Sequence, residues 1–372
     1  MTWRMCRKYY DIGLNLTDPM FQGIYNGKQY HASDLVHVLS RAAKVGVHQA
    51  LLTGSSITES RQAAQIAQSY GSSDVKLFYT IGVHPCCVNE FANHETTIDN
   101  PSNDEELNQK IPLEVLKDTR GAQAKLQELY HLVNGSLHND PLFRAIGEIG
   151  LDYDRLYYAS KEMQLMFFEE QLKLSCLVDN PRVPLFLHMR TSCNDFVRIM
   201  QKFIEGFQDH EDRFQWGDRC SMLTPITYKF HPDRKFVTHS FTGTSLELKR
   251  VLELSPQSYI GINGCSLKSE ENIQCAREVP LDRLLLETDA PWCDVRRTHL
   301  SFQYLGDYKS PYSSVKKDKL AKVSDCSGTT VKGRNEPCNI EQIARIVANL
   351  RGIDLAHVVD QVWQTSCEVY GL

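Results

Sequence analysis

Short runs rich in Val, Ile, Leu, Phe and Tyr recur along the chain, each closed by Gly, Pro or a polar cluster. Eight stand out: YYDIGLNL (9–16), HQALLTGS (48–55), LFYTIGVHP (77–85), FRAIGEIGLD (143–152), VPLFLHMR (183–190), KFVTHSF (235–241), SYIGING (258–264) and RLLLETDAP (283–291). Between them apolar residues return at helical spacing. One such segment is ASDLVHVLSRAAKVGV, with Ser33 as the expected N-cap and Gly46 near its end; others are SKEMQLMFFEEQLKLSCLV and TSLELKRVLEL, and NIEQIARIVANL follows the last run. Near-continuous apolar strands alternating with amphipathic helices predict a parallel sheet covered by helices. Eight such units, with no G-x-G-x-x-G after the first strand, predict an α/β fold closed into a (β/α)₈ barrel.

The spacing of the units is uneven. Residues 89–119, 206–234 and 299–333 are too long and too polar to be plain connections. They read as loop insertions on one domain covering 1–372, since none carries an evident core of its own. The third is rich in lysine, which suits a solvated flap or a polyanion contact, with the flap as the simpler reading.

Composition narrows the function classes. The 372 residues are 42% hydrophobic and 23% charged, the profile of a globular protein with a sizeable core. With 41 basic and 46 acidic residues the net charge is −5, which argues against a protein that coats DNA through a basic face. It leaves room for an enzyme that grips nucleic acid locally. No run is long enough for a signal peptide or a membrane span, and the twelve cysteines form no C-x-x-C pair. Reduced thiols in an intracellular protein, in cytoplasm or nucleus, are the expectation.

In a parallel barrel every strand opens its C-terminal end onto one face, so residues remote in sequence meet there. The strand ends here carry Asn15, His84, Glu148, His188, His239 and Asp289. One strand-end histidine would read as a hydrogen-bonded core residue; three histidines with two carboxylates read as a ligand set for divalent cations such as Zn²⁺, Mn²⁺ or Mg²⁺. Glu148, set between two glycines at the end of an apolar strand, then has a reason to be buried, because an unpaired buried carboxylate costs several kcal/mol. Gly147 and Gly150 would let backbone and ligands approach closely. The competing account holds Glu148 against an arginine such as Arg190, without a metal.

The motifs DIGLNLTDPMF, TIGVHP, AIGEIGLDYDR, PLFLHMR, THSFTGT, YIGINGCSLK, LLLETDAPW and RNEPCNI, in this order, resemble those of the TatD family of metal-dependent deoxyribonucleases, most closely its eukaryotic branch. The resemblance implies a TIM barrel of the metal-dependent hydrolase type. It implies that Glu148 bridges two divalent metal ions, with His188 and His239 completing one site and Asp289 holding the other. It places His84, Arg190 and the RNEP loop beginning at Arg334 near the substrate. Hydrolysis of DNA phosphodiester bonds with Mg²⁺ (Mn²⁺ or Zn²⁺ as alternatives) is the implied reaction, on single strands or ends, 3′ to 5′, with endonuclease cleavage left open. Glu148, Asp289 and His84 are the expected catalytic groups, Asp289 taking a proton from water and His84 giving one to the leaving oxygen. One departure matters: many relatives have H-x-H on the first strand where this chain has Gly13 and Asn15, so the Asp289 side is expected to hold its metal weakly.

Asp152 reads equally as a turn residue or as a group orienting a ligand, and Glu287 as a structural residue below the site. His94, His138, His210, His231, His299 and His357 have no spacing that links them to the site. Three rival accounts remain: an amidohydrolase-like enzyme acting on a C–N or ester bond, a metal-free carboxylate-pair hydrolase using Glu148 and Asp289, and a non-catalytic scaffold with a vestigial site.

Overall fold

A computed structural model describes residues 7–92, 105–210, 213–214, 216 and 226–371. Eight parallel strands form one sheet in sequential order: β1 (Tyr9–Leu14), β2 (Val47–Leu52), β3 (Lys76–Ile81), β4 (Phe143–Asp152), β5 (Leu185–Arg190), β6 (Phe236–Thr238), β7 (Ser258–Ile262) and β8 (Leu284–Leu286). The ring closes just past the ends of β1 and β8. Asn15 N donates to Ala290 O at 2.8 Å and Asp289 N donates to Gly13 O at 2.8 Å. The expected (β/α)₈ barrel is present, although most strands stop two to five residues short of the apolar runs that announced them.

Period-two alternation divides the core in two. Tyr10, Ile12, Leu51, Phe78, Ala145, Phe186, Val237, Tyr259 and Leu285 fill the barrel interior, with Tyr370 closing its floor at 5.6 Å from the Tyr10 ring. Their neighbours on each strand face outward, into a larger cluster shared with the helices. The outer layer comprises α1 (Leu35–Val45), α2 (Ile57–Tyr70), α3 (Glu105–Lys117), α4 (Arg120–Asn139), α5 (Lys161–Leu177), α6 (Cys193–Glu205), α7 (Ser245–Glu253), α8 (Glu270–Glu278), α9 (Ile340–Arg351) and α10 (Leu355–Tyr370). Ser33 is not the cap of α1. The capping position falls to Asp34, and the Ser33 hydroxyl instead donates to Phe21 O at 3.1 Å, tying the loop after β1 to the helix. Gly46 does end α1, in the left-handed conformation at φ 97°.

Each long segment is distinct. Within 89–119, residues 93–104 lie outside the described residues; the rest supplies the end of a 3₁₀ turn (Pro85–Phe91) and α3. In 206–234, Phe207–Gln208 pairs antiparallel with Thr227–Tyr228, and much of what lies between is outside the described residues. The lysine-rich 299–333 segment does gather a small apolar cluster: Leu320 and Val331 pack with Tyr25 from the loop after β1. Lys317 Nζ lies over the Tyr25 and Tyr30 rings at 4.9 and 4.4 Å, so this lysine is drawn into the fold rather than left free for a polyanion. No helix among the described residues is long and apolar enough to cross a membrane.

Candidate active site

Glu148 reaches the barrel mouth through a local irregularity. β4 pairs Ile146 with Leu185 and Ile149 with Leu187, so three steps of β4 face two of β5, and the extra residue falls at Gly147–Glu148. The two glycines are required by backbone, not by ligand. A Cβ at Gly147 would come within 2.2 Å of Phe186 O, and one at Gly150 within 1.9 Å of His188 O. Only strands stripped of Cβ atoms here can approach closely enough to aim Glu148 inward.

At the mouth, one oxygen of Glu148 gathers the histidines. His188 Nδ1 lies 2.7 Å and His239 Nε2 2.6 Å from Glu148 Oε1, with His84 Nε2 at 3.4 Å. All four side chains are nearly buried. The far nitrogen of each close histidine faces a second carboxylate: His188 Nε2 is 3.3 Å from Asp152 Oδ2, and His239 Nδ1 is 3.4 Å from Glu287 Oε2. Asp152 therefore holds the orienting position, and Glu287 lies one layer below, fully buried and accepting from Asn263 Nδ2 at 3.1 Å.

Charge state follows from these contacts. Burial alone would raise the Glu148 carboxyl, but the His239 and His84 rings and the His188 contact hold it well below the usual carboxylate range. Burial works against His239 as well, yet Glu148 and Glu287 keep its imidazole far above its ordinary value, and Asp152 and Glu148 raise His188. His84 behaves oppositely: burial drives it down to about 3. Its Nδ1 accepts from Cys86 N at 3.0 Å, so the neutral ring carries its proton on Nε2, pointing into the site.

Asp289 lines the same cavity, a space of about 760 Å³ that also takes in Asn15, Arg155, Tyr157, Arg190, Lys268 and Trp292. It stands outside the Glu148, His188 and His239 group but close enough for Glu148 and His239 to act on its charge. Its Oδ1 accepts from Asn15 Nδ2 at 2.9 Å, and its Oδ2 from the Cys293 thiol at 3.2 Å. Burial, reinforced by Glu287 and Glu148, raises its carboxyl to about 6. Arg190 lines the cavity but sits nearest Asp154, with Nε 3.6 Å from Oδ2, and pairs with neither Glu148 nor Asp152.

Arg334 goes elsewhere. It is 3% exposed; Nη1 and Nη2 donate to Asp34 at 2.7 and 2.6 Å, and Nη2 also donates to Glu336 at 2.9 Å. Arg41 completes this buried group of four through Glu336, at 2.7 Å. None of the four lines the cavity. The RNEP loop acts on the site indirectly. Asn335 Nδ2 donates to Thr288 O at 3.0 Å and to Trp292 O at 2.8 Å, bracing the turn that carries Asp289.

Do these residues fit divalent cations? Glu148, His188 and His239 offer ligand atoms that all lie within 4.8 Å of one another, as do His84, Asp152 and His188. Imidazole nitrogens backed on their far side by carboxylates are the usual arrangement of metal-bound histidine, because the backing fixes the ring and raises its basicity. The donor set fits. Cys265, Lys268, Cys293, Tyr157, Tyr158 and Trp292 also line the cavity; they sit in the loops beyond the strand ends, where the strand pattern gives no signal.

A parallel eight-stranded barrel with carboxylate and imidazole groups at its C-terminal rim defines a metal-dependent hydrolase of the TIM-barrel class. A family model described as TatD related DNase matches residues 11–371. The chain belongs to that family, and is by that membership an enzyme. It is 54% identical to the protein called Deoxyribonuclease Tat-D of Saccharomyces cerevisiae, over 98% of this chain and 91% of that one. A solved structure from S. cerevisiae, described as an uncharacterized amidohydrolase, superposes with a TM-score of 0.90 at 52% identity, covering 98% of this chain and 100% of that one. The 3′-5′ ssDNA/RNA exonuclease TatD of Erwinia amylovora is 27% identical over 98% of this chain and 100% of its own.

Proposed function

We propose that the chain hydrolyses phosphodiester bonds of DNA with two divalent cations, Mg²⁺ in the first instance, acting 3′ to 5′ on single strands or frayed ends. The observation that carries this reading is the carboxylate-backed cluster of Glu148, His188 and His239 at the floor of a cavity whose rim holds Arg155, Arg190 and Lys268. Its relatives' names point the same way. Glu148, His188 and His239 would hold one cation, and Glu148 with Asp289 the weaker second. Bound there, such ions supply Lewis-acid polarisation of a phosphoryl oxygen and bring the pKa of water toward neutrality.

The protein's own groups do the rest. Asp289, lining the cavity with Glu148, accepts the proton of the attacking water. Asn15 and the Cys293 thiol, donating to its two oxygens, fix that carboxylate in place. His84, neutral with Nε2–H directed inward, donates a hydrogen bond to a phosphoryl or leaving oxygen; burial removes the imidazolium that a proton donor would need. Arg190 and Arg155 neutralise phosphate from the rim. The reduced thiols of Cys86, Cys87, Cys193, Cys265 and Cys293 suit an intracellular setting.

The test is digestion of end-labelled single-stranded DNA with Mg²⁺ or Mn²⁺ by the parent and by Glu148→Gln, beside a panel of amides. The variant should lose more than about a hundredfold, the upper end of what even outer-sphere metal partners cost. Equal ladders from both proteins, or turnover of amides alone, would remove the assignment.

A further inference from the structure

Three large aromatic side chains stand in solvent at the mouth of this cavity. Trp292 is 54%, Tyr157 52% and Tyr158 38% exposed, and all three line the same space as Glu148 and Asp289. Their positions follow from the topology. Tyr157 and Tyr158 lie in the loop after β4, and Trp292 in the loop after β8. In a ring of eight strands in sequential order, β4 and β8 are half a turn apart, so the two loops confront each other across the opening.

Each side is built to keep its ring there. The Tyr157 and Tyr158 rings lie 4.6 Å apart with their planes inclined at 38°, presenting two adjoining aromatic faces. The backbone of Trp292 is held by Asn335 from behind, through its carbonyl at 2.8 Å, which leaves the indole free. Between the two walls the lining cations are Arg155, Arg190 and Lys268, and the lining acids are Asp18, Glu59, Glu148 and Asp289, the last two at the chemical centre. Cations beside exposed rings form a surface that tracks a phosphate backbone while bases stack on aromatic faces.

We propose that Trp292 on one wall and Tyr157 with Tyr158 on the other clamp unpaired nucleobases on either side of the scissile phosphate, so that the site selects single strands. The clamp rests on the nuclease reading above and adds its means of discrimination. Bases in a duplex are already stacked and paired, and offer no face to these rings. A frayed or single-stranded end does.

The test measures binding and turnover separately. Binding of a short labelled oligodeoxythymidylate is followed by anisotropy with Ca²⁺ present, and hydrolysis with Mg²⁺. The proteins are the parent, Trp292→Leu, Trp292→Phe and Tyr157→Leu. The substrates are the oligonucleotide, a blunt duplex, and an oligonucleotide with abasic residues at its 3′ end. Each exposed ring can be removed without opening the core. Stacking on one aromatic is worth about 1–3 kcal/mol per base, so each Leu variant should weaken single-strand binding and raise KM by roughly five- to hundredfold. Trp292→Phe should recover most of that loss. Against the abasic strand, the parent should bind as weakly as Trp292→Leu. Variants within about twofold of the parent on the single strand, or a loss equally large on the abasic strand, would overturn the clamp while leaving the nuclease reading intact. A parent that binds single strands through Trp292 yet cuts none would support the clamp and sink the nuclease reading. A parent that neither binds nor cuts would sink both.

Discussion

Replacing Arg334 by Met separates two roles that its sequence context leaves open. In the fold, Arg334 belongs to a buried group of two guanidinium ions and two carboxylates: Arg41 and Arg334 with Asp34 and Glu336, none more than 4% exposed. Its side chain donates to Asp34 twice, to Glu336 once and to Met20 O at 3.1 Å. Arg41 is anchored by Glu336 at 2.7 and 3.1 Å and by the Cys326 carbonyl at 2.6 Å, and reaches Asp34 only at 3.4 Å, so it does not replace the two short bonds of Arg334. Arg334→Met therefore removes the two short hydrogen bonds to Asp34, leaving it only the longer contact with Arg41, and leaves one buried negative charge in excess. Breaking a buried ion pair in this way costs about 3–5 kcal/mol. Urea unfolding at neutral pH should show a loss of that size, with KM for DNA close to the parent's. Adding Asp34→Asn restores neutrality, and the double variant should be more stable than the sum of the two single losses by at least about 1.5 kcal/mol. A variant as stable as the parent but with KM raised tenfold or more would place Arg334 on the substrate and refute the reasoning.

Three further outcomes are expected. Because Asp289 is proposed to take the proton of the attacking water, Asp289→Asn should lower kcat by about a hundredfold or more, and a kcat within about threefold of the parent's would deny Asp289 that role. Asp195 titrates near 2 through its hydrogen bond to Lys161, burial opposing, with Tyr153 and Arg198 assisting, at 2.8, 2.8 and 3.1 Å. A carboxyl lowered on folding contributes stability that is complete above the unfolded value and fades as pH falls toward the folded one. Asp195→Asn should cost about 1 kcal/mol in urea at pH 7, shrinking between pH of about 4 and 2, and a loss that does not change with pH would contradict it. Gly150→Ala forces a Cβ to within 1.9 Å of His188 O at φ 152°, and should lower stability by about 3 kcal/mol or more, visible as an early thermal transition; an unchanged midpoint would mean the two strands are not held this closely.

The barrel was legible because parallel strands buried on both faces read as unbroken Val, Ile and Leu runs. Strand ends were less so. The run 283–291 predicts nine extended residues, whereas β8 is Leu284–Leu286, since Thr288 and Asp289 leave the sheet to meet Asp11 and Asn15. The convergence of Glu148, His188 and His239 followed from topology alone, as strand ends on one rim must meet. What did not follow was direction. Nothing in RNEP tells whether the arginine points at the substrate or into a buried ion group, because its partner Asp34 lies 300 residues earlier, at the start of α1. Ser33 and Asp34 are adjacent and both are good caps, so pattern could not choose between them. The exposed Trp292 and Tyr157 carry no periodicity at all, being loop residues, and their placement needs the ring order of the strands.

On the proposed mechanism Glu148, His188 and His239 capture a divalent cation. The most direct measurement is anomalous diffraction from a crystal soaked in Mn²⁺, comparing the parent with His239→Ala. The parent should show a peak in contact with the Glu148 carboxylate and both imidazoles, and the variant should lose it. A parent map empty at that point, or a peak undiminished without His239, would contradict the claim.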